Sequence, residues 1–351
     1  MTPEQLTAFG VTADEERDTN EWIMSHMGCV LGSDGRGGSG TFIELDDGRL
    51  AFLTARHVIV QCILTGEMTV SRLNSSGAAH SAEPDAIRID CNKDAAYLIL
   101  NANKFEGSRL PYAALSQLQK DISVGMPVIV SGVVGEWKQP DVIARVIPQI
   151  KVLYYWTGVT DPENDRQLIV CDVDESNSEL PLSFGGMSGG PCFSLDRILL
   201  GVNIHEIRRK PGTKLGEIQV VRINKLKNLF EPFQVPPGSP EDYMRQEVTG
   251  IFWAIKQDNE SQKVQMAVKV EFFWSLSNPD AKFGRFGRII GLCLNLSEEA
   301  KRYPINCESV FKYEGDTRAD RLKALQEELD YFLMDTDFRA EQDGNPTIIP
   351  I

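Results

Sequence analysis

The stretch Gly185-Gly186-Met187-Ser188-Gly189-Gly190-Pro191 places one serine in a glycine-rich turn between two apolar, strand-like runs. Glycines reach φ and ψ values that a Cβ forbids, so such a turn can aim successive backbone N–H groups into one small space. A reactive serine needs that. Its hydroxyl is a weak nucleophile until a base removes the proton and N–H groups receive the developing oxyanion. Glycine-flanked serines without a base are ordinary loops, so the meaning of this turn depends on what the rest of the chain brings to it.

Two upstream segments supply candidates. Leu53-Thr54-Ala55-Arg56-His57-Val58 is an apolar strand running into a histidine. Asn92-Lys93-Asp94-Ala95-Ala96-Tyr97-Leu98-Ile99-Leu100 sets an aspartate at the head of a buried-looking strand. His, Asp, Ser along the chain is one of the orders in which a Ser-His-Asp triad occurs. With T-A-x-H, D-x-A-x-L and G-x-S-G-G-P in succession, the chain resembles the trypsin-like (chymotrypsin-fold) serine peptidases. The bacterial branch that includes the high-temperature-requirement proteases looks nearest, and the resemblance covers residues 28–235. It implies that His57 is the general base, that Asp94 holds the imidazole tautomer, and that Ser188 is the nucleophile. The N–H groups of Gly186 and Ser188 would form the oxyanion hole. Asp90 competes for the role of the acid, and Ser183 and Ser194 flank the turn. Asp94 is preferred because the apolar run 95–100 follows it directly, and Ser188 because neither neighbour sits between paired glycines. A lone histidine at a strand end would otherwise be a satisfied structural residue.

Composition narrows the remaining classes. Across 351 residues, 50 acidic against 36 basic side chains give a net charge of −14, which argues against a nucleic-acid or anionic-membrane partner. The basic cluster Arg208-Arg209-Lys210-Pro211-Gly212-Thr213-Lys214 reads as a solvated hairpin loop. The seven cysteines (Cys29, Cys62, Cys91, Cys171, Cys192, Cys293 and Cys307) are odd in number, scattered and mostly in apolar runs. They fit reduced, buried thiols of a cytoplasmic protein better than a disulfide framework. With no C-x-x-C pair and four histidines, neither a metal site nor a cofactor is expected. Residues 1–27 lack a basic segment followed by an apolar core, so they do not read as a signal peptide. No run of about 18 apolar residues predicts a membrane span. Gly35-Arg36-Gly37-Gly38-Ser39-Gly40 matches G-x-G-x-x-G, but it precedes a strand and opens no helix, so it reads as a glycine-rich loop and not a dinucleotide site.

The organisation follows from periodicity. Residues 1–27 form an N-terminal helical arm, with a capping box at Thr2-Pro3-Glu4-Gln5 and a helix near residues 13–24. The hairpin at 41–54 and strands at 68–73, 86–89 and 96–100 predict a first antiparallel barrel over 28–115. Strands at 127–134, 146–156, 167–173, 191–195, 198–207 and 217–223, with a closing helix at 224–230, predict a second barrel over 116–234. The fold class is therefore mostly β, two six-stranded chymotrypsin-like barrels with the active site in the cleft between them. Pro236-Pro237-Gly238-Ser239-Pro240 marks a stiff linker at 235–244. Residues 245–351 then read as a small α+β accessory domain. In it, Leu322, Leu325, Leu329, Phe332 and Leu333 recur at helical spacing, to pack on its own sheet or, more sharply, to meet a partner.

The chain departs from the family at informative places. Met187 stands where zymogen-type members carry the aspartate that pairs with a newly cut N-terminus, so the resemblance excludes that activation route. Ile204 replaces a hydroxyl residue that supports the acid. By the family's spacing Leu182 would floor the pocket for the substrate's P1 side chain, implying a small or medium apolar residue there. Glu206 would stand at the pocket mouth. The backbone of Ile204, His205 and Glu206 would offer a strand edge to an extended substrate. The leading expectation is an intracellular serine endopeptidase acting on a protein or peptide, restrained by its extra domain or by a regulatory protein bound there. The alternative is a weak or inactive trypsin-like fold used as a protein-binding module. A cysteine-peptidase relative is disfavoured by the serine at 188.

Overall fold

The computed structural model describes residues 7, 10–32, 35–65, 68–73, 79–90, 93–104, 113–114, 126–134, 149–156, 168–174, 186–208, 215–223, 226–230, 243–275, 285–295, 303–307, 309–315, 317–341 and 347–350. The expected capping box at Thr2 lies outside them. Helix α1 (Ala13–His26) starts at Thr12, whose hydroxyl accepts the Glu15 N–H while the Glu15 carboxylate accepts the Thr12 N–H. That reciprocal bonding satisfies two donors that the first turn leaves without partners.

The chain then turns to strands: β1 (Met27–Gly32), β2 (Gly37–Glu44), β3 (Leu50–Ala55), β4 (Met68–Leu73), β5 (Ala79–Ala82), β6 (Ala86–Asp90), β7 (Ala95–Ile99) and β8 (Ala113–Ala114). Helix α2 (Arg56–Thr65) separates β3 from β4. A second group comprises β9 (Pro127–Val134), β10 (Gln149–Trp156), β11 (Leu168–Asp174), β12 (Pro191–Ser194), β13 (Leu199–Arg208) and β14 (Leu215–Arg222), followed by helix α3 (Lys227–Phe230). The extension adds β15 (Tyr243–Lys256), β16 (Asn259–Ser275), β17 (Arg285–Asn295), β18 (Tyr303–Cys307), β19 (Ser309–Lys312), helix α4 (Arg318–Leu333), β20 (Phe338–Ala340) and β21 (Thr347–Pro350).

Among the described residues these strands make two sheets, and neither of the two expected barrels is found closed. The second group forms a six-stranded sheet in the order β10-β9-β12-β13-β14-β11. The first group and the extension share one fifteen-stranded sheet, joined where β18 runs parallel to β6 through Ile305↔Ile87 and Cys307↔Ile89. Apart from β6–β18 and β2–β8 the ladders are antiparallel. Among the described residues no ladder closes on itself, and the β6 edge of the first group is taken by β18 of the extension. Strand periodicity shows local pairing but not which distant edge a strand will meet.

The glycine-rich segment also differs from expectation. Gly37–Gly40 belong to β2 and pair with Val30 and Leu31, Cys29 and Gly28 of β1. Backbone from the serine turn crowds this strand: a Cβ on Gly38 would press on the Ser188 carbonyl and the Val58 methyls.

Alternation along the central strands buries both faces. Phe42, Phe52, Ala96 and Leu98 face one core, which also takes Ile59 and Ile63 of α2, Phe272 of β16, and Leu325, Leu329, Phe332 and Leu333 of α4. Their neighbours Ile43, Ala51, Leu53, Ala95 and Tyr97 face a second core against Ile129, Phe193, Val202 and Val221 of the other sheet. Side chains two apart share a face, so β2, β3 and β7 cement the second sheet on one side and the extension on the other. The apolar stripe of α4 is thus internal and not presented to a partner. Phe52 is fully buried and meets Phe42 edge-on at 5.1 Å. Phe52→Ala is expected to cost about 3–5 kcal/mol, read as a lowered midpoint of denaturant unfolding.

Candidate active site

Helix α2 opens where β3 ends, and His57 is its second residue. The Asp94 carboxylate lies at this helix start. Its Oδ1 accepts the His57 backbone N–H at 3.0 Å, and its Oδ2 bonds the His57 ring at Nδ1, 2.8 Å away. One carboxylate therefore serves as a helix cap and as the ring's orienting acceptor, at the end of a helix that favours negative charge. Asp94 adopts φ +49°, a left-handed conformation that aspartate tolerates better than most residues. Its carbonyl is held by the Arg56 N–H at 3.2 Å. Asp94, and not Asp90 at the end of β6, carries the bonds to His57.

A third donor was not anticipated. The Arg56 side chain, 2% exposed, donates from Nε to Asp94 Oδ1 at 3.2 Å and from a terminal nitrogen to the Met334 carbonyl at 3.2 Å. Its adjacency to His57 was the available signal, but nothing local indicates that an arginine there turns inward. Burial pulls the His57 pKa down, yet the charge and hydrogen bond of Asp94 outweigh it, with Arg56 opposing and Asp335 assisting, so it stands above the ordinary histidine value. Burial raises the Asp94 pKa, but the charge and bonding of His57 and the charge of Arg56 bring it below the ordinary carboxylate value.

The serine turn is clamped between the sheets. The Ser188 carbonyl accepts the Ser39 N–H at 2.8 Å, and the Ser39 hydroxyl donates to the Gly186 carbonyl at 2.6 Å while accepting the Val133 N–H at 2.7 Å. From the far side the Asn203 carbonyl accepts the Gly189 N–H at 2.6 Å, the Asn203 N–H reaches the Gly190 carbonyl at 2.8 Å, and its amide donates to the Ser131 carbonyl at 2.9 Å. Gly186 and Gly189 have φ +92° and +85°, and a Cβ on Gly189 would collide with Thr54 Oγ1 and the Ser39 carbonyl. Only glycine fits there. Ser39 and Asn203 were missed as site-building residues because their partners are distant in sequence. Among the described residues the N–H groups of Gly186 and Ser188 donate to no protein acceptor, and the His57 ring makes its one hydrogen bond to Asp94. The structure thus brings His57 to Asp94 directly and seats Ser188 against β2, without a hydrogen bond from its hydroxyl to the ring.

The remaining candidates separate. Ser194 caps the β12–β13 turn by accepting the Ile198 N–H, a structural task, and Ser183 lies outside the described residues, as does Leu182. Ile204 is a bulge in β13, skipped where the pairing with β14 steps from Asn203↔Val220 to His205↔Gln219. It packs against both main cores. His205 and Glu206 are placed by backbone in β13, paired with Gln219 and Ile218. Cys29, Cys62 and Cys192 are buried thiols outside any disulfide, and burial pushes the pKa of Cys29 up to about 12. Among the described residues no group of three His, Cys, Asp or Glu could hold a metal ion, and no helix is long and apolar enough to cross a membrane.

No protein-family model matches the chain, and no curated protein matches it in sequence. Among solved structures it is similar to the MamO protease domain from Magnetospirillum magneticum in its apo form, at 13% identity and a TM-score of 0.41 over 59% of this chain and 96% of that one. It is also similar to Deg5, at 17% identity and a TM-score of 0.42 over 62% and 94%. A third is the Rv3671c protease from M. tuberculosis in its active form, at 16% and 0.40 over 64% and 89%. At these similarities, function has to be read from the site itself.

Two predictions follow from its geometry. Asp94, with a depressed pKa, adds stability above its unfolded value of 3.8 that is lost as pH falls; His57, with a raised pKa, adds stability below 6.5 that is lost as pH rises through its folded value. The melting-temperature gap between wild type and His57→Gln should therefore be widest between those values and narrow on either side. Ser39→Ala strands the Val133 N–H and the Gly186 carbonyl, and should cost about 1–3 kcal/mol in chemical denaturation.

Proposed function

We propose that the chain is a serine endopeptidase in which His57, Asp94 and Ser188 form a catalytic triad. The observation that carries this reading is the paired contact of Asp94 with the His57 backbone and ring. It fixes the imidazole with Nδ1 bound and Nε2 left for a substrate-side proton. Ser188 Oγ attacks the scissile carbonyl carbon as its proton passes to Nε2, and the C–N bond breaks as that proton reaches the leaving amine. Water then hydrolyses the acyl-enzyme by the same route. The N–H groups of Gly186 and Ser188, which no described acceptor claims, receive the oxyanion.

The substrate is a protein or peptide bound extended along β13. Its pairing with β12 ends at Val202, so among the described residues His205 and Glu206 have a strand partner on the β14 side alone and Ile204 is the bulge beside them. That edge suits β-augmentation. By the resemblance, Leu182 would select a small or medium apolar P1 side chain and Glu206 would act at the pocket mouth. Residues 245–351 act as an accessory element built into the sheet and core of the first group, and buried thiols suit a cytoplasmic setting.

A binding module that has lost catalysis is the second reading, favoured by the missing bond between the Ser188 hydroxyl and His57; such bonds are often long before substrate binds. Fluorophosphonate labelling separates the two. Labelling mapped to Ser188, absent in His57→Ala, with turnover lowered by about 10⁶ in Ser188→Ala, is the expected result. Failure to label across candidate substrates and partners would make the chain a binding module.

A further inference from the structure

We infer that Arg56 is a positioning residue for the His57–Asp94 pair, and that it ties this pair to the C-terminal end of α4. The inference deepens the peptidase reading and rests on it. Arg56 follows β3 directly, yet its side chain spans 278 positions to the Met334 carbonyl while its Nε holds Asp94 Oδ1. An arginine keeps its proton in a protein, so this is a permanent buried cation between two acceptors. One is the triad acid. The other belongs to the C-cap residue of α4, at the helix end where backbone carbonyls lack intrahelical partners and attract cations. With Oδ1 occupied by Arg56 and the His57 N–H, Oδ2 is left for the ring and the carboxylate cannot rotate.

The turn that supplies Met334 is docked on α2 by more than this bond. The Asp337 N–H donates to the Gln61 side-chain oxygen at 2.9 Å, and the Asp337 carboxylate pairs with Arg36. Asp335, at φ +62°, lies between them. Within four residues the extension thus meets the helix of His57, the residue that leads into the strand of the serine clamp and the partner of the catalytic acid. The charged groups acting on His57 are Asp94, Arg56 and Asp335. Arg56 offsets part of the Asp94 charge, and its loss leaves the imidazolium better stabilised.

The test uses the full chain, following the four histidine titrations by NMR together with the fluorophosphonate labelling rate against pH. In Arg56→Met the His57 midpoint and the acid limb of labelling are expected to move to higher pH, and the plateau rate to fall on the order of 10²-fold. Arg56→Lys keeps the cation but not the fork, so the midpoint returns towards wild type while the plateau stays low. Asp337→Ala loosens the docked turn without touching Arg56, His57 or Asp94, and should lower the plateau in the same direction. A folded Arg56→Met protein with unchanged midpoint and plateau overturns the positioning role. If that variant fails to fold, Arg56→Lys with a wild-type plateau does so instead. An unchanged plateau in Asp337→Ala overturns the tie to α4. A wild-type protein that never labels, but whose His57 midpoint rises in Arg56→Met, sinks the peptidase reading and sustains this one.

Discussion

The Asp94 carboxylate organises this molecule around itself. It accepts the first free N–H of α2, the ring of His57 and the guanidinium of Arg56. A buried carboxylate is costly unless its oxygens are bonded and its charge is balanced, and here both conditions are met by two consecutive residues, Arg56 and His57. Because those residues open a helix and end a strand, meeting the needs of one acid also sets the direction in which the chain leaves β3. The strained backbone of Asp94 is the local cost of aiming that carboxylate.

A second constraint is the close approach of the two sheets at Ser39. Its side chain is fully buried and bonded to β9 on one side and to the serine turn on the other. Such contact leaves no room for Cβ atoms at Gly38 and Gly189. The glycines on the two sides of the interface are one feature, small residues that let backbones touch so that a hydroxyl can bridge them. The serine turn is thereby held by hydrogen bonds from both sheets.

The extension shares the hydrogen-bonded sheet and the apolar core of the first group of strands. β18 continues the sheet from β6, while the apolar stripe of α4 lies in the core that also holds α2. Packed interiors transmit displacement because they have few voids to absorb it. The end of α4 and the His57–Asp94 pair are joined through the Arg56 side chain.

The members of the candidate site were legible in the chain because their signals are local, and the structure brings two of them, His57 and Asp94, together. An aspartate followed by Ala95–Ile99, a histidine after Leu50–Ala55 and a serine among glycines each declare themselves within a few residues, and the strands follow from alternation. Helix α2 was not legible: Val58-Ile59-Val60 reads as β, and burial against α4 and β2 overrides that propensity. Nor were the β6–β18 pairing, the bulge at Ile204, the Ser39 clasp or the bond from Arg56 to Met334. Local sequence was enough to show which residues could carry the chemistry and where most of the strands run. Tertiary structure alone decided which edges meet and which side chains bridge them, because those contacts join residues tens to hundreds of positions apart and leave no trace in local periodicity.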